Sequence, residues 1–116
     1  MTVEPESLET KHCKPCEGGI APLGETEIEG LLGEVPGWKL REDKAAIGRK
    51  INAGTFAKAI SAVEKVAILA EEEQHHPDLH LTGYRHLNIV LTTHAIGGLS
   101  ENDFILAAKI NAALQP

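Results

Sequence analysis

Apolar positions recur along this chain with two different periods, and the changes between them set the expected elements. Ile28, Leu31, Leu32 and Val35 stand at i, i+3, i+4 and i+7, the stripe of a helix. Thr26 and Glu29 have the spacing of a capping box, so this helix is expected to start at Thr26 and to end at Pro36-Gly37. Gly30 and Gly33 weaken it, which predicts a short helix held by packing. Trp38-Lys39-Leu40 and residues 47–51 then alternate with a period of two around the polar stretch 41–44, the pattern of a β-hairpin. From about 55 to 74 the helical period returns. Phe56, Ile60, Val63, Ala67 and Ala70 form one face, Ala59, Val66 and Leu69 widen it, and Lys58, Glu64, Lys65, Glu71 and Glu72 sit largely opposite. Pro77 ends that helix, because the residue before a proline is pushed out of the α region. A short strand over 79–81, a turn at Gly83, a strand over 87–93, a loop over 95–99 and a helix opened by Ser100 and Asp103 complete the chain. The order α-β-β-α-β-β-α predicts an α+β two-layer sandwich, an antiparallel four-stranded sheet with three helices packed on one face.

Residues 1–24 lie outside this pattern. Pro15, Gly18, Gly19, Pro22 and Gly24 punctuate them without periodicity, so they read as an N-terminal arm with Ile20 and Leu23 as its apolar grip. Residues 25–116 make the domain, and 116 residues in all is the length of one domain. The net charge of -6 argues against nucleic acid and against an anionic membrane surface. With four aromatic residues the chain also offers little for stacking bases. No apolar run approaches the roughly 20 residues needed to span a bilayer. Residues 1–14 are polar and acidic, with no signal-like apolar stretch, so a cytoplasmic location is expected.

Histidine is where the composition becomes informative. Four of the six fall within twelve residues, as His75, His76, His80 and His86, and His94 follows. The segment Glu71-Glu72-Glu73-Gln74-His75-His76-Pro77 places three carboxylates at a helix end whose dipole prefers cations, beside two imidazoles that suit it. A local rule broken next to a titratable pair points to function, against the plainer reading of a solvated acidic helix end. His94 stands just past a predicted buried strand, at the mouth of a Gly-rich loop. Alone it would serve as an ordinary strand end; in company it becomes a site candidate. Asp103 can cap the last helix or orient a histidine.

Metal binding fits less well. His76 and His80 have a helical ligand spacing, but Pro77 breaks the helix between them. Cys13-Lys14-Pro15-Cys16 with His12 is half a zinc site without a second cysteine pair. No metal is expected, and the cysteines read as reduced anchors of the arm. Neither a phosphate-cradling glycine loop nor a serine nucleophile elbow is present.

The run Glu71-x3-His75-His76-Pro77, then Tyr84, Thr92-Thr93-His94, Gly98-Leu99-Ser100 and Asp103 resembles the pterin-4a-carbinolamine dehydratase family. Six residues separate Pro77 from Tyr84, nine separate Tyr84 from His94 and eight separate His94 from Asp103. Pro36-Gly37-Trp38 and Leu106-Ala107-Ala108-Lys109-Ile110 extend the likeness over about 26–114. The Cys13–Cys16 arm looks like an extension found in a subset of such proteins, with no role in catalysis assigned to it. The resemblance implies dehydration of a 4a-hydroxytetrahydropterin to the quinonoid dihydropterin, in the recycling that follows aromatic amino acid hydroxylases, with no metal or organic cofactor. It implies that His75, His76 and His94 line the reacting carbon. His76 is then expected as principal acid/base, His75 as its partner and His94 as a binding or relay group. Glu71 is expected to orient His75, Asp103 to support the site, and Thr92, Thr93 and Tyr84 to contact the pterin. A homodimer or homotetramer is expected, with a hydroxylase as a possible further partner. Two other readings stand beside this one: a protein-binding module that partners a transcription factor, and the handling of another reduced pterin, as in molybdenum-cofactor metabolism. His80 and His86 match no catalytic position and read as surface or strand residues.

Overall fold

Two hairpins flank the long helix in sequence and join through their inner strands in space. The computed structural model describes residues 8–14 and 21–114. Its strands are β1 (Lys39–Leu40), β2 (Ile47–Asn52), β3 (Asp78–Thr82) and β4 (His86–Leu91). They form one antiparallel sheet in the order β1-β2-β4-β3. The helices are α1 (Glu25–Leu32), α2 (Phe56–Glu73) and α3 (Glu101–Ala113), with single 3-10 turns at Leu8–Thr10 and His94–Ile96. This is the α+β architecture and the element order that the periodicity predicts.

The core lies where alternate sheet residues meet the helices. Ile47 on β2 and Leu87, Ile89 and Leu91 on β4 are buried, while their neighbours Gly48, Asn88 and Val90 are less so. That is the alternation of a sheet covered on one side. Trp38, Val66, Phe104, Leu106 and Ile110 join the same cluster. α3 is the most enclosed element, with Asn102 to Ala107 and Ile110 all buried. It packs against α2 on one side and the Leu8–Thr10 turn on another. None of the helices among the described residues is long and apolar enough to cross a membrane.

Several boundaries differ from expectation for identifiable reasons. α1 is capped at Gly24 rather than Thr26, because Glu27 reaches back to the Gly24 N–H at 3.4 Å, the part expected of Glu29. It stops at Gly33, before Pro36-Gly37. β4 ends at Leu91, and Thr93 instead forms an isolated bridge with Gly98. The apolar face of α2 is centred differently from the predicted stripe. Ala59, Val66 and Ala70 are buried, whereas Phe56 is 55% exposed, Ile60 36% and Ala67 also exposed. The helix carries apolar residues around more of its girth than the sheet covers, so periodicity alone could not choose which part faces inward.

The arm, too, is held otherwise than expected. Ile20 lies outside the described residues. Leu23 is half-buried, and its N–H donates to the Leu99 carbonyl at 2.9 Å. The stronger grip is Leu8, which is buried in the main core. Pro22 lies so close to Gly98 that a Cβ there would fall 2.8 Å from the proline ring, so glycine at 98 is what admits the returning chain.

Because Phe104 is fully enclosed, truncating it leaves a cavity that its neighbours fill only in part. Phe104→Ala is expected to lower the unfolding free energy by about 3–5 kcal/mol, measured by urea denaturation. A cost below about 1 kcal/mol would show that the helix is not packed as described.

Candidate active site

The end of α2 decides where the histidines go. Thr55 caps the helix start, its hydroxyl accepting the Lys58 N–H at 3.1 Å. At the other end Gln74 adopts a left-handed conformation with φ 53°, a C-cap geometry usually left to glycine. Its side-chain amide donates to the Glu71 carbonyl at 2.6 Å and holds the turn. The chain therefore leaves the helix axis at once, and His75 and His76 face different surroundings.

His75 turns inward. Its Nε2 lies 2.6 Å from Asp103 Oδ1, across 28 residues of sequence, with the imidazole 12% exposed and the carboxylate fully buried. The second carboxylate oxygen, Oδ2, accepts from the Thr93 hydroxyl at 2.8 Å and from the Ser100 N–H at 3.0 Å. Thr93 and Ser100 hydroxyls are themselves 2.8 Å apart. One carboxylate thus caps α3 and orients a histidine together, joining the two roles open to it from sequence. His76 turns outward and is more than half exposed, its Nε2 3.3 Å from Glu71 Oε1. Glu71 therefore lies against His76, not His75. The left-handed Gln74 breaks the helical spacing on which the Glu71–His75 pairing was expected.

A cavity of about 550 Å³ brings His75, His76 and His94 together. His94 opens the short 3-10 turn after β4 and is exposed. Thr92 and Thr93 also line the cavity. The Thr92 hydroxyl donates to the Ala45 carbonyl at 2.5 Å. The Thr93 backbone is engaged with the Gly97-Gly98 loop, its N–H donating to the Gly98 carbonyl at 2.9 Å. Tyr84 does not reach this cavity within the chain. It sits in the β3–β4 turn, at the opposite end of the hairpin from Asp78 and Val90, more than half exposed and with Arg85 over its ring. His80 and His86 lie on the less covered face of the sheet, away from the other three.

Sequence reasoning missed Glu73. It was one of three adjacent glutamates, but it alone is buried, with a side chain 4% exposed. Oε1 accepts the Cys13 N–H at 2.7 Å, and Oε2 lies 3.0 Å from His12 Nδ1 and 3.9 Å from Lys109 Nζ. Burial pushes this carboxyl up, but the Cys13 N–H, His12 and Lys109 together outweigh it and hold it below its ordinary value. Asn102 fixes the next residue of the arm, accepting the Lys14 N–H at 2.9 Å and donating to the Lys14 carbonyl at 2.6 Å. As a result His12, Cys13 and Lys14 form part of the cavity wall. Nothing in the pattern of apolar residues could have signalled this, because the contacts are polar and span about 60 to 90 residues.

Residues 21–113 match the family model described as Pterin 4 alpha carbinolamine dehydratase. The chain belongs to this family. A dehydratase-family protein of Halorhodospira halophila, provisionally named a pterin-4-alpha-carbinolamine dehydratase, is 46% identical over 106 residues, covering 91% of this chain and 96% of its own. The protein of Arabidopsis thaliana named pterin-4-alpha-carbinolamine dehydratase 2, mitochondrial, is 46% identical over 107 residues, 90% of this chain and 57% of that one. Among solved structures, a Brucella melitensis protein titled transcriptional coactivator/pterin dehydratase superposes with a TM-score of 0.76 at 30% identity, covering 81% of this chain and 99% of that one. The family match begins at residue 21, so His12 to Lys14 precede it, while Glu73 and Asn102, which hold them, lie within it.

Among the described residues, no three or more His, Cys, Asp and Glu side chains are gathered as a metal cage. Cys16 lies outside the described residues. Burial first, then the neighbouring Glu73 and Asp103 carboxylates, push the Cys13 thiol up to about 12, against a smaller opposing pull from Lys109. At pH 8 Cys13 is thus almost wholly protonated and a poor nucleophile. In a Cys16→Ser background, alkylation of Cys13 by iodoacetamide at pH 8 is expected to run at least about tenfold slower than that of a free cysteine peptide. Adding Glu73→Gln should speed it. A rate equal to the peptide's would mean that the thiol is not enclosed as described.

Proposed function

We propose that this protein is a hydro-lyase that dehydrates a 4a-hydroxytetrahydropterin to the quinonoid dihydropterin by histidine acid/base chemistry, in the recycling of tetrahydropterin. The observation that carries this reading is the 2.6 Å His75–Asp103 pair on the cavity shared with His76 and His94. A carbinolamine holds a hydroxyl and an amine nitrogen on one carbon. In the dehydration the C4a–O bond breaks as the oxygen receives a proton and leaves as water. The neighbouring N–H gives its proton to a base, and that electron pair forms the C=N bond. The step needs one acid and one base on a single site, and imidazole is the side chain best suited to both near neutrality.

The arrangement suits a division of labour. Asp103 fixes the orientation of His75, as a carboxylate behind a catalytic imidazole does elsewhere. His76, open to the cavity and loosely held, is the principal proton carrier. His94, which lines the same cavity, binds substrate or relays a proton. Neither a metal nor an organic cofactor has a part in the step. The setting proposed is the cytoplasm, downstream of an aromatic amino acid hydroxylase.

The test is the rate of 4a-hydroxytetrahydropterin dehydration, followed by ultraviolet absorbance. Acceleration should survive excess chelator. His76→Ala should lower kcat about a hundredfold to ten-thousandfold with the fold intact. A loss under threefold would remove His76 as the main catalyst, and no acceleration by the wild type would overturn the reading.

One observation supports a protein-binding role alongside catalysis. Phe56, Ile60 and Ile68 are large apolar residues left exposed on α2. A homodimer or homotetramer that covers them is proposed, and the coactivator title of the Brucella melitensis protein concerns that protein alone. Light scattering after gel filtration is expected to give two or four chains, and Ile68→Glu to lower that number; a wild-type monomer at micromolar concentration would refute it.

A further inference from the structure

The arm forms part of the cavity wall, and its clamp sits on the same two elements that hold the His75–Asp103 pair. Glu73 precedes His75 by two residues at the end of α2, and Asn102 precedes Asp103 by one at the start of α3. The anchors are polar, buried and reciprocal, whereas an arm needed only for stability could rest on Leu8 and its apolar contacts. The orientation of His12 is the informative detail. Glu73 is held as a carboxylate and can only accept, so His12 Nδ1 carries the proton in the 3.0 Å contact. In the neutral ring this leaves Nε2 as an acceptor, on a side chain 82% exposed that lines the cavity. A pteridine presents several N–H donors along its edge, and an acceptor of fixed direction at the rim is what would set its angle against His75 and His76.

We propose that His12 is a substrate-positioning residue, its Nδ1–H fixed on Glu73 and its Nε2 accepting an N–H of the bound pteridine. This rests on the pterin reading above and deepens it, because it assigns the arm a part in substrate recognition.

Two readouts separate the proposal from that reading: equilibrium binding of 7,8-dihydrobiopterin, which has no 4a-hydroxyl to lose, and steady-state kinetics on the carbinolamine. His12→Ala should weaken binding of the probe and raise KM by about 3- to 10-fold, the loss of one hydrogen bond, with kcat within about twofold. Glu73→Gln should have the same effect, because its amide donates to Nδ1 and turns Nε2 from acceptor to donor. The double variant should be no weaker than either single one, and His12→Gln, which keeps an acceptor at a similar reach, should recover most of the loss. Unchanged probe binding in His12→Ala, additive effects in the double variant, or a fall in kcat at constant KM would each overturn the proposal. A wild type that binds the probe without turning over the carbinolamine would refute the dehydratase reading while the variants still decide the role of His12. A wild type that does neither would refute both.

Discussion

The Asp103 carboxylate is the joint on which the site depends. It is fully buried, and an ionised group in that position is tolerated only when its oxygens are supplied with donors. His75 takes Oδ1, and Thr93 and Ser100 take Oδ2. Those donors come from three separate stretches: the turn after α2, the loop after β4 and the N-cap of α3. Satisfying one carboxylate therefore brings three elements to one point, and the site stands at that point. Its place at a helix N-terminus adds the favourable end of the α3 dipole. No buried side-chain nitrogen or oxygen among the described residues is left without a partner.

Glu73 repeats the device two residues before His75. Three glutamates at the C-terminal end of a helix conflict with the helix dipole if all are read as equivalent. The structure separates them: Glu71 and Glu72 are exposed to water, and Glu73 is enclosed by the Cys13 N–H, His12 and Lys109. The acidic run is thus one structural carboxylate and two solvated ones. The same enclosure raises the Cys13 thiol, so the cysteine pair's first member acts as a packed, protonated side chain.

Order and type of the elements were readable from the chain because each carries its own period, two for the strands and 3.6 for the helices. The turn residues that separate them were readable too, as with Pro77 after the histidines and Ser100 with Asp103 at the start of α3. The grouping of His75, His76 and His94 on one cavity was implied by the family resemblance. What was hidden is whatever depends on a partner far away in sequence. The inward side of α2 could not be chosen, since Phe56 and Ile60 match the helical period as well as Val66 does. The partner of Glu71 could not be chosen either, because it depends on Gln74 entering a conformation that its side chain does not announce. The arm was furthest from view: its grip is a buried leucine and a set of backbone-to-side-chain bonds, neither of which leaves a period.

Two adjacent histidines in unlike settings follow from that single left-handed residue. Had the helix continued, His75 and His76 would lie about 100° apart around its axis. With Gln74 at φ 53° the chain turns, so that one imidazole is held against a buried carboxylate while its neighbour stays more than half exposed on the cavity. On the proposed reading, unlike environments suit two groups with different parts in one reaction. In this chain the two adjacent imidazoles gain unlike settings because the backbone bends sharply between helix and strand, at Gln74.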